Sequence, residues 1–222
     1  MSQPRLIIFA GTVGSGKSTQ MRLIYQLLQR TEKVHRTYLK GFHGLSYILA
    51  YFAVRCIGCR DFSWALTALH QKNPSLEKRL LKLLLLLDFL EVILLNIAKV
   101  FVYLKLGYHV LVEEQVVGYA ANHLHYRIIN PEFYNRYGSK MIRFYVRLLS
   151  SQSPLVFFLD ARNDELKKRW EQRGSPIELE SYLNSLRESM KLIRKMGIKT
   201  ICINTSSPIP ETFKRIMRSI ES

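Results

Sequence analysis

Five short apolar runs alternate along the chain with longer segments in which apolar residues recur every three or four positions. The runs lie at 5–10, 34–39, 109–112, 155–159 and 199–203. Helical periodicity covers 17–30, about 44–57, 76–106, 163–173, 178–196 and 210–220, and the stretch 116–150 is expected to be helical or irregular. Strands with nearly continuous apolar runs that alternate with helices are typical of a parallel sheet covered on both faces. The pattern therefore predicts an α/β fold with helices on both faces of a parallel sheet.

The chain has 222 residues and shows no internal repeat, low-complexity tract or linker. A chain of this length suits one α/β domain with a helical insertion, and it can bury a substantial core. We therefore predict a single domain that covers residues 1–222.

A leucine-rich stretch, RLLKLLLLLDFLEVILLNIAKVFVYLKLG, has the composition of a membrane segment at first sight. Charged residues interrupt it at Lys82, Asp88, Glu91, Lys99 and Lys105, so no window reaches the roughly 18–20 uncharged residues that a span needs. We predict no transmembrane segment and a long, mostly buried helix. A helix this apolar is equally compatible with a homodimer face.

Basic residues outnumber acidic residues by 33 to 17, which leaves a formal net charge of +16. An excess of this size predicts anionic partners such as nucleotides, nucleic acid or an acidic membrane surface. A solubilising basic surface is an equally good interpretation, because charge alone does not separate the two.

Cysteine occurs three times, at Cys56, Cys59 and Cys202. The first two have the spacing of a metal-binding or redox pair, but no second pair completes a zinc site. Incidental cysteines are the simpler interpretation, and scarce cysteine is typical of a reducing compartment. Because the first ten residues do not form a secretory signal, we predict a cytoplasmic location.

The clearest chemical signal is the segment AGTVGSGKST, which joins an apolar strand to an amphipathic helix. It fits the phosphate-binding pattern GxxxxGK[ST] at every fixed position. Glycines let backbone N–H groups turn onto phosphate oxygens, Lys17 reaches the β- and γ-phosphates, and the Ser18 hydroxyl completes a Mg²⁺ shell. No guanine-specific motif follows, so we predict ATP and Mg²⁺ as cofactors. The residues expected to bind them are Gly11, Thr12, Val13, Gly14, Ser15, Gly16, Lys17, Ser18 and Thr19.

Two further groups of residues have the right chemistry for phosphoryl transfer. Glu113 and Glu114 end the third apolar run, where a carboxylate beside a glycine loop holds Mg²⁺ or its water. Neighbouring residues of a strand point to opposite sides, so we expect at most one of them to face the phosphates. Arg169 and Arg173 share one helical face ahead of a Gly-Ser-Pro break, and two arginines there would clamp a transferring phosphoryl group.

These segments resemble the thymidylate kinase-like branch of nucleoside and nucleoside monophosphate kinases. The matching segments are GTVGSGKST, LKLGYHVLVEEQ, FFLDARNDELKKRWEQRG and YLNSLRESMKLIRKMGIKTICINTSSPIPETFKRI, which together cover a little over half of the chain. The resemblance implies a five-stranded P-loop NTPase fold, with a helical acceptor or insert region at about 41–106 and a lid at about 162–180. It further implies that Lys17, Glu113, Arg169 and Arg173 are catalytic, that Ser18 and Glu113 bind the metal, and that 204–209 cradles adenine.

The sequence departs from the family pattern on the acceptor side. Val13 stands where the family's loop commonly carries an acid, Glu114 replaces the arginine that follows the strand acid, and the acceptor motif after the second strand reads YLKGFHG, with Lys40 and His43 as its polar groups. The resemblance implies a small nucleotide acceptor, a nucleoside monophosphate such as dTMP. Three alternatives remain open: a P-loop ATPase with a nucleic-acid surface, a kinase of another acceptor such as a nucleic-acid end, and a nucleotide-binding protein without turnover.

Overall fold

A computed structural model describes residues 5–42, 44–56, 58 and 65–221. Two residues singled out from the sequence, His43 and Cys59, lie outside these described residues.

Five parallel strands form one sheet, as predicted. They are β1 Leu6–Gly11, β2 Val34–Leu39, β3 His109–Glu114, β4 Leu155–Asp160 and β5 Lys199–Asn204. The spatial order is β2-β3-β1-β4-β5, so β1 lies in the centre between β3 and β4. This arrangement brings the carboxyl ends of β1, β3 and β4 together at one edge of the sheet, where open α/β sheets bind ligands.

Helices fill the connections. They are α1 Lys17–Leu28, α2 Leu45–Cys56, α3 Ala65–Lys72, α4 Pro74–Asn96, α5 Val102–Lys105, α6 Gln115–Ile129, α7 Pro131–Phe133, α8 Ser139–Ser150, α9 Asn163–Arg173, α10 Glu180–Lys195 and α11 Ile209–Glu221. π-helical turns at Ile97–Phe101 and Tyr134–Gly138 join α4 to α5 and α7 to α8. The predicted helix over 76–106 is therefore a continuous helical run with a π turn inside it, and the stretch 116–150 is mainly helical.

The sheet is buried on both faces because successive residues of its central strand point to opposite sides. Leu6 and Ile8 of β1 belong to a large core shared with α6, α8 and α10, whereas Ile7 and Phe9 pack against α1 and α11. This two-sided burial explains why the central strands β1, β3 and β4 are mainly apolar rather than alternating, whereas the edge strands β2 and β5 carry polar residues.

Helices α2, α3 and α4 surround a separate apolar cluster that contains Phe42, Ala50, Val54, Leu81 and Leu84. Helix α4 begins sharply, since the Asn73 side chain accepts a hydrogen bond from the backbone N–H of Leu76 at 3.0 Å and Pro74 occupies the first turn. These helices connect β2 to β3 and lie where the sequence predicts the insert.

One face of α4 is buried, and the opposite face, continued by Ile97 at the start of the π turn, carries exposed apolar side chains. The exposed side chains recur every three or four residues and are each 44% to 65% exposed: Leu83, Leu86, Leu90, Leu94 and Ile97. We call these five residues the α4 stripe. Within the part of the chain that the structure describes, no helix is long and apolar enough to cross a membrane.

Candidate active site

The segment between β1 and α1 forms a glycine loop beneath the carboxyl edge of the sheet. At Gly11, φ is 141°, and an added Cβ would lie 1.9 Å from the Leu159 carbonyl oxygen, so only glycine fits beside β4. Gly16 adopts φ 87° as the residue immediately before α1. Both conformations favour glycine, and the loop leads directly into the N-terminus of α1, where backbone N–H groups can bind an anion.

Lys17 is held inside this loop rather than extended into solvent. Its Nζ donates hydrogen bonds to the carbonyl oxygens of Gly11 and Thr12, at 3.1 and 3.0 Å. It also forms an ion pair with Glu114, whose Oε1 lies 3.0 Å away. Both side chains of this pair are nearly buried, so the lysine is preorganised beside the loop amides.

Ser18 and Glu113 meet at the end of β3. The Ser18 hydroxyl donates a hydrogen bond to Glu113 Oε1 at 2.6 Å, although the two residues are 95 positions apart. A hydroxyl and a carboxylate that converge in this way supply the hard oxygen ligands that Mg²⁺ prefers. The residues present therefore fit the predicted metal, with further positions left to phosphate and water oxygens.

Glu114 also turns toward the loop, so the expectation that at most one of the paired carboxylates would face it is wrong. The reason is the backbone: Glu114 adopts φ 72° and ψ −70°, and Gln115 adopts φ 42°. Extended geometry ends there, and the usual alternation of side chains ends with it. Positive φ is strained for residues other than glycine and persists only where the surroundings enforce it.

A cavity of about 330 Å³ opens beside the glycine loop. The loop contributes Gly14, Ser15 and Gly16, and the segment after β5 contributes the residues from Thr205 to Ile209. Arg169 and Arg173 of α9 line the same cavity. The sequence-predicted lid arginines, phosphate loop and adenine segment are thus brought together around one space.

The two arginines differ in how they are held. Arg169 donates to the Gly14 carbonyl at 3.3 Å, to the Thr205 carbonyl at 2.6 Å and to the Thr205 hydroxyl at 3.3 Å, so it joins the loop to the segment after β5. Arg173 is exposed, and none of the described residues pairs with its guanidinium. Arg173 therefore has its donors available for a ligand.

Asp160 contacts the loop through Thr12, and Arg187 holds Asp160 in place. The sequence analysis identified neither residue. Arg187 makes a bidentate contact with Asp160, with Nε and Nη2 at 2.8 and 3.1 Å from the carboxylate oxygens. Asp160 in turn accepts a hydrogen bond from the Thr12 hydroxyl at 2.9 Å. The acid at the end of the LVFFLD run was the available signal, whereas Arg187 is one basic residue among several on α10.

The opposite side of Lys17 faces α6 and α10. Lys40 lies over the Tyr182 ring at 5.9 Å from its centroid, and the Tyr182 hydroxyl donates to Asn122 at 3.1 Å. Burial raises the pKa of Glu178, and nearby Lys40 opposes that shift. Burial also raises the pKa of Tyr182, and Glu114 and Glu178 raise it further.

A second opening runs from Ser18 and Glu113 along the gap between α1 and the edge strand β2. A cavity of about 550 Å³ there is lined by Arg22 and Arg36, which also border the next cavity along the same gap. Among the described residues neither arginine has an ion-pair partner, and Arg36 lies over the Tyr25 ring at 5.7 Å. We call this feature the α1–β2 groove.

Of the cysteines that the structure describes, neither lines the cavities beside the loop. Cys56 and Cys202 are exposed free thiols. Across the described ranges, no three His, Cys, Asp or Glu residues are placed to hold a metal ion.

Comparison with known proteins gives similarity in structure but not in sequence. No protein-family model matches the chain, and no curated protein matches its sequence. Thymidylate kinase from Ehrlichia chaffeensis superposes with a TM-score of 0.57 at 14% identity, covering 99% of this chain and 100% of that one. Thymidylate kinase from Candida albicans gives a TM-score of 0.60 at 17% identity, covering 100% and 93%.

A third structure extends the comparison to a nucleoside kinase. Deoxyadenosine kinase from M. mycoides, solved with bound dATP, gives a TM-score of 0.59 at 14% identity, covering 98% of this chain and 100% of that one. All three similarities extend over nearly the whole of both chains and share the five-stranded parallel sheet. The chain therefore has the fold of the thymidylate kinase-like P-loop kinases.

Proposed function

We propose that this protein is an ATP-dependent phosphotransferase that transfers the γ-phosphate of ATP to a nucleoside-type acceptor, either a nucleoside or a nucleoside monophosphate. The observation that carries the proposal is the convergence of Lys17, Ser18 and Glu113 at the carboxyl edge of the sheet. These groups lie next to the cavity that Arg169 and Arg173 line. Phosphoryl transfer needs such a set, because its catalysis is mainly positioning and charge stabilisation.

The donor would bind with its base between Arg169 and the segment 205–209 and its phosphates on the glycine loop. Loop N–H groups and those at the start of α1 would donate hydrogen bonds to the phosphate oxygens, and Lys17 would neutralise the charge of the β- and γ-phosphates. Arg169 already joins both walls of that space, so the donor cavity is largely preformed.

Magnesium would be held by Ser18 and Glu113, directly or through water. When bound, it supplies a positive charge that neutralises phosphate oxygens. Arg173, which is exposed at the rim of the same cavity, would add a bidentate donor to the transferring group as the segment after Gly174 closes.

The names of the structural neighbours refer to two classes of acceptor. Thymidylate is a nucleotide, and deoxyadenosine is a nucleoside. A nucleoside monophosphate such as dTMP is the acceptor that the family resemblance implies. A screen should therefore contain matched nucleosides and monophosphates of every base.

The test measures ADP formation from ATP·Mg²⁺ with and without each acceptor. We expect ADP release to depend on one acceptor class, and Lys17→Ala to abolish it. Lys214→Ala is the matched control, because Lys214 is an exposed lysine of α11 that lines neither cavity at the loop. ADP formation that is equal with and without every acceptor would overturn the kinase assignment.

A second candidate is an ATPase whose nucleotide state controls a nucleic-acid surface. The α1–β2 groove favours it, since Arg22 and Arg36 line a cavity that begins at Ser18 and Glu113, the proposed metal ligands. Stoichiometric ADP and free phosphate, stimulated by a single-stranded oligonucleotide and reduced in Arg22→Ala and Arg36→Ala, would support this function instead. Tight ATP binding with no product under any condition would indicate a non-catalytic nucleotide-binding protein.

A further inference from the structure

The ion pair between Glu114 and Lys17 places a carboxylate against the reaction centre. Glu114 Oε1 lies 3.0 Å from Lys17 Nζ, and the carboxylate is almost buried. Its other oxygen, Oε2, lies over the first turn of α6, where a Cβ added to Gly118 would come within 2.8 Å of it. Glu114 therefore occupies the space between the phosphate loop and α6.

Backbone conformation keeps the carboxylate in this position. With φ 72° and ψ −70° at Glu114, the chain reverses out of β3 and returns the side chain toward Lys17. A strained residue at the end of a strand, beside a phosphate loop, is the kind of outlier from which a functional role can be inferred. Gln115 shares the strain with φ 42°, so two consecutive residues are held in this way.

Two carboxylates, Glu114 and Glu178, interact with Lys17 and Lys40 on this side of the loop. Glu114 and Glu178 both lie close enough to Tyr182 to raise its pKa, and Lys40 is the cation over its ring. Lys17 would be engaged by the phosphates of ATP, which leaves Lys40 against two carboxylates. Arg22 and Arg36 lie past Glu113 in the α1–β2 groove, on the face of the sheet opposite α6.

A phosphate acceptor and a hydroxyl acceptor place opposite demands on such a site. A phosphomonoester carries up to two negative charges and needs cationic, bidentate partners. A hydroxyl is neutral, and it can donate a hydrogen bond to a carboxylate. Like charges brought together in a partly buried site repel strongly, so a carboxylate beside the acceptor would discriminate against a phosphate.

We infer that the acceptor presents a neutral hydroxyl to Glu114, as a nucleoside does, rather than the phosphate of a nucleoside monophosphate. This inference rests on the proposed function and narrows its acceptor. In the step, the hydroxyl oxygen forms a bond to the γ-phosphorus of ATP while the bond to the β–γ bridging oxygen breaks. ADP leaves with that electron pair, and the hydroxyl proton leaves along the hydrogen bond and is released to water.

The test compares each nucleoside with its own 5′-monophosphate as acceptor, for example thymidine with dTMP and deoxyadenosine with dAMP, at saturating ATP·Mg²⁺. We expect wild-type kcat/KM to favour the nucleoside of the active pair by more than tenfold. Glu114→Arg is expected to shift that ratio toward the monophosphate by at least tenfold, because it replaces repulsion with attraction. Glu171→Gln, at an exposed acid of α9, should leave the ratio unchanged.

Because Glu114→Arg could disturb folding, the wild-type ratio decides the inference by itself, and Glu114→Gln adds a neutral variant of the same shape. Glu114→Gln should have a higher kcat/KM for the monophosphate than wild type has. Its affinity for ATP should change by a smaller factor than this kcat/KM does. Phosphorylation of the monophosphate as good as that of the nucleoside would overturn the inference and leave the proposed function intact. Transfer to neither class by the wild-type protein would overturn both.

Discussion

Trp170 Nε1 donates a hydrogen bond to the Val13 carbonyl oxygen at 3.1 Å. The indole is almost fully buried, and it reaches from α9 across to the middle of the phosphate loop. Arg169, the residue before it, bonds to the next loop carbonyl, that of Gly14. Two consecutive residues of the predicted lid helix therefore shape the loop that would bind ATP, so movement of α9 and conformation of the loop are coupled.

Replacing Trp170 tests this coupling. In Trp170→Phe the ring still fills the core, but the loop carbonyl loses its donor, at a cost of about 1 kcal/mol. We expect ATP·Mg²⁺ to bind roughly fivefold more weakly, as measured by calorimetric titration, with a small decrease in Tm. Unchanged ATP affinity together with a decreased Tm would show that the contact serves stability alone.

Gly14 is expected to tolerate no side chain. It adopts φ 85°, and an added Cβ would lie 2.7 Å from Trp170 Nε1. Gly14→Ala should therefore displace either the loop or the indole and reduce ATP binding by more than tenfold. Gly197→Ala is the matched control, since Gly197 has φ 89° with nothing within 4 Å of the added Cβ. That control should lower stability by about 1 kcal/mol without weakening ATP binding; equal ATP affinities in the two variants would contradict the account.

Asp88 should make stability depend on pH. Burial raises its pKa to about 7, although the backbone N–H of Phe42 donates to the carboxylate. In the unfolded chain the pKa is about 3.9. Between these values the folded protein holds one more proton than the unfolded one, so the stabilisation is complete below about pH 4 and is lost as pH rises to about 7.

Asp88→Asn removes this titration and keeps a side-chain oxygen that can accept from Phe42. We expect the wild-type free energy of unfolding to fall by about 3 kcal/mol more than that of the variant between about pH 5 and pH 8. Urea unfolding at both pH values measures the difference, and groups common to both proteins cancel. Parallel pH profiles would show that Asp88 does not titrate in this range.

The α4 stripe predicts self-association, because five exposed apolar side chains on one helix face are costly in water. We expect a dimer at micromolar concentration by analytical ultracentrifugation, and at least a hundredfold weaker association in Leu90→Lys/Leu94→Lys. Leu27→Lys, at a leucine of α1 that is 40% exposed, should leave association unchanged. A monomeric wild-type protein would contradict this prediction.

Much of the fold could be predicted from the sequence because burial leaves a plain pattern. The central strands are covered on both faces, so they are apolar from Leu6 to Ala10 and from Leu155 to Leu159. The glycine loop was equally clear, since its φ values and its approach to Leu159 require glycine at fixed positions. Insertion of a π turn after Asn96 left no signal, because the apolar periodicity of the long helix continues through it.

The site was harder to predict where it depends on one backbone torsion or on distant contacts. Alternation along a strand predicted that at most one of Glu113 and Glu114 would face the phosphates, and the positive φ of Glu114 made that wrong. Arg187 reaches Asp160 from 27 residues away, a pairing set by how α10 packs. The roles of Lys17, Arg169 and Arg173 in transfer stay predictions, supported by their positions around one cavity.

The most direct test of the central claim follows the label of γ-³²P-ATP·Mg²⁺ in the presence of matched nucleosides and nucleoside monophosphates, with Lys17→Ala as the blank. A kinase is expected to place the label on an organic acceptor, in amounts equal to the ADP formed. Label that appears only as free phosphate, or remains on ATP, would contradict the assignment of this site to phosphoryl transfer between nucleotides or nucleosides.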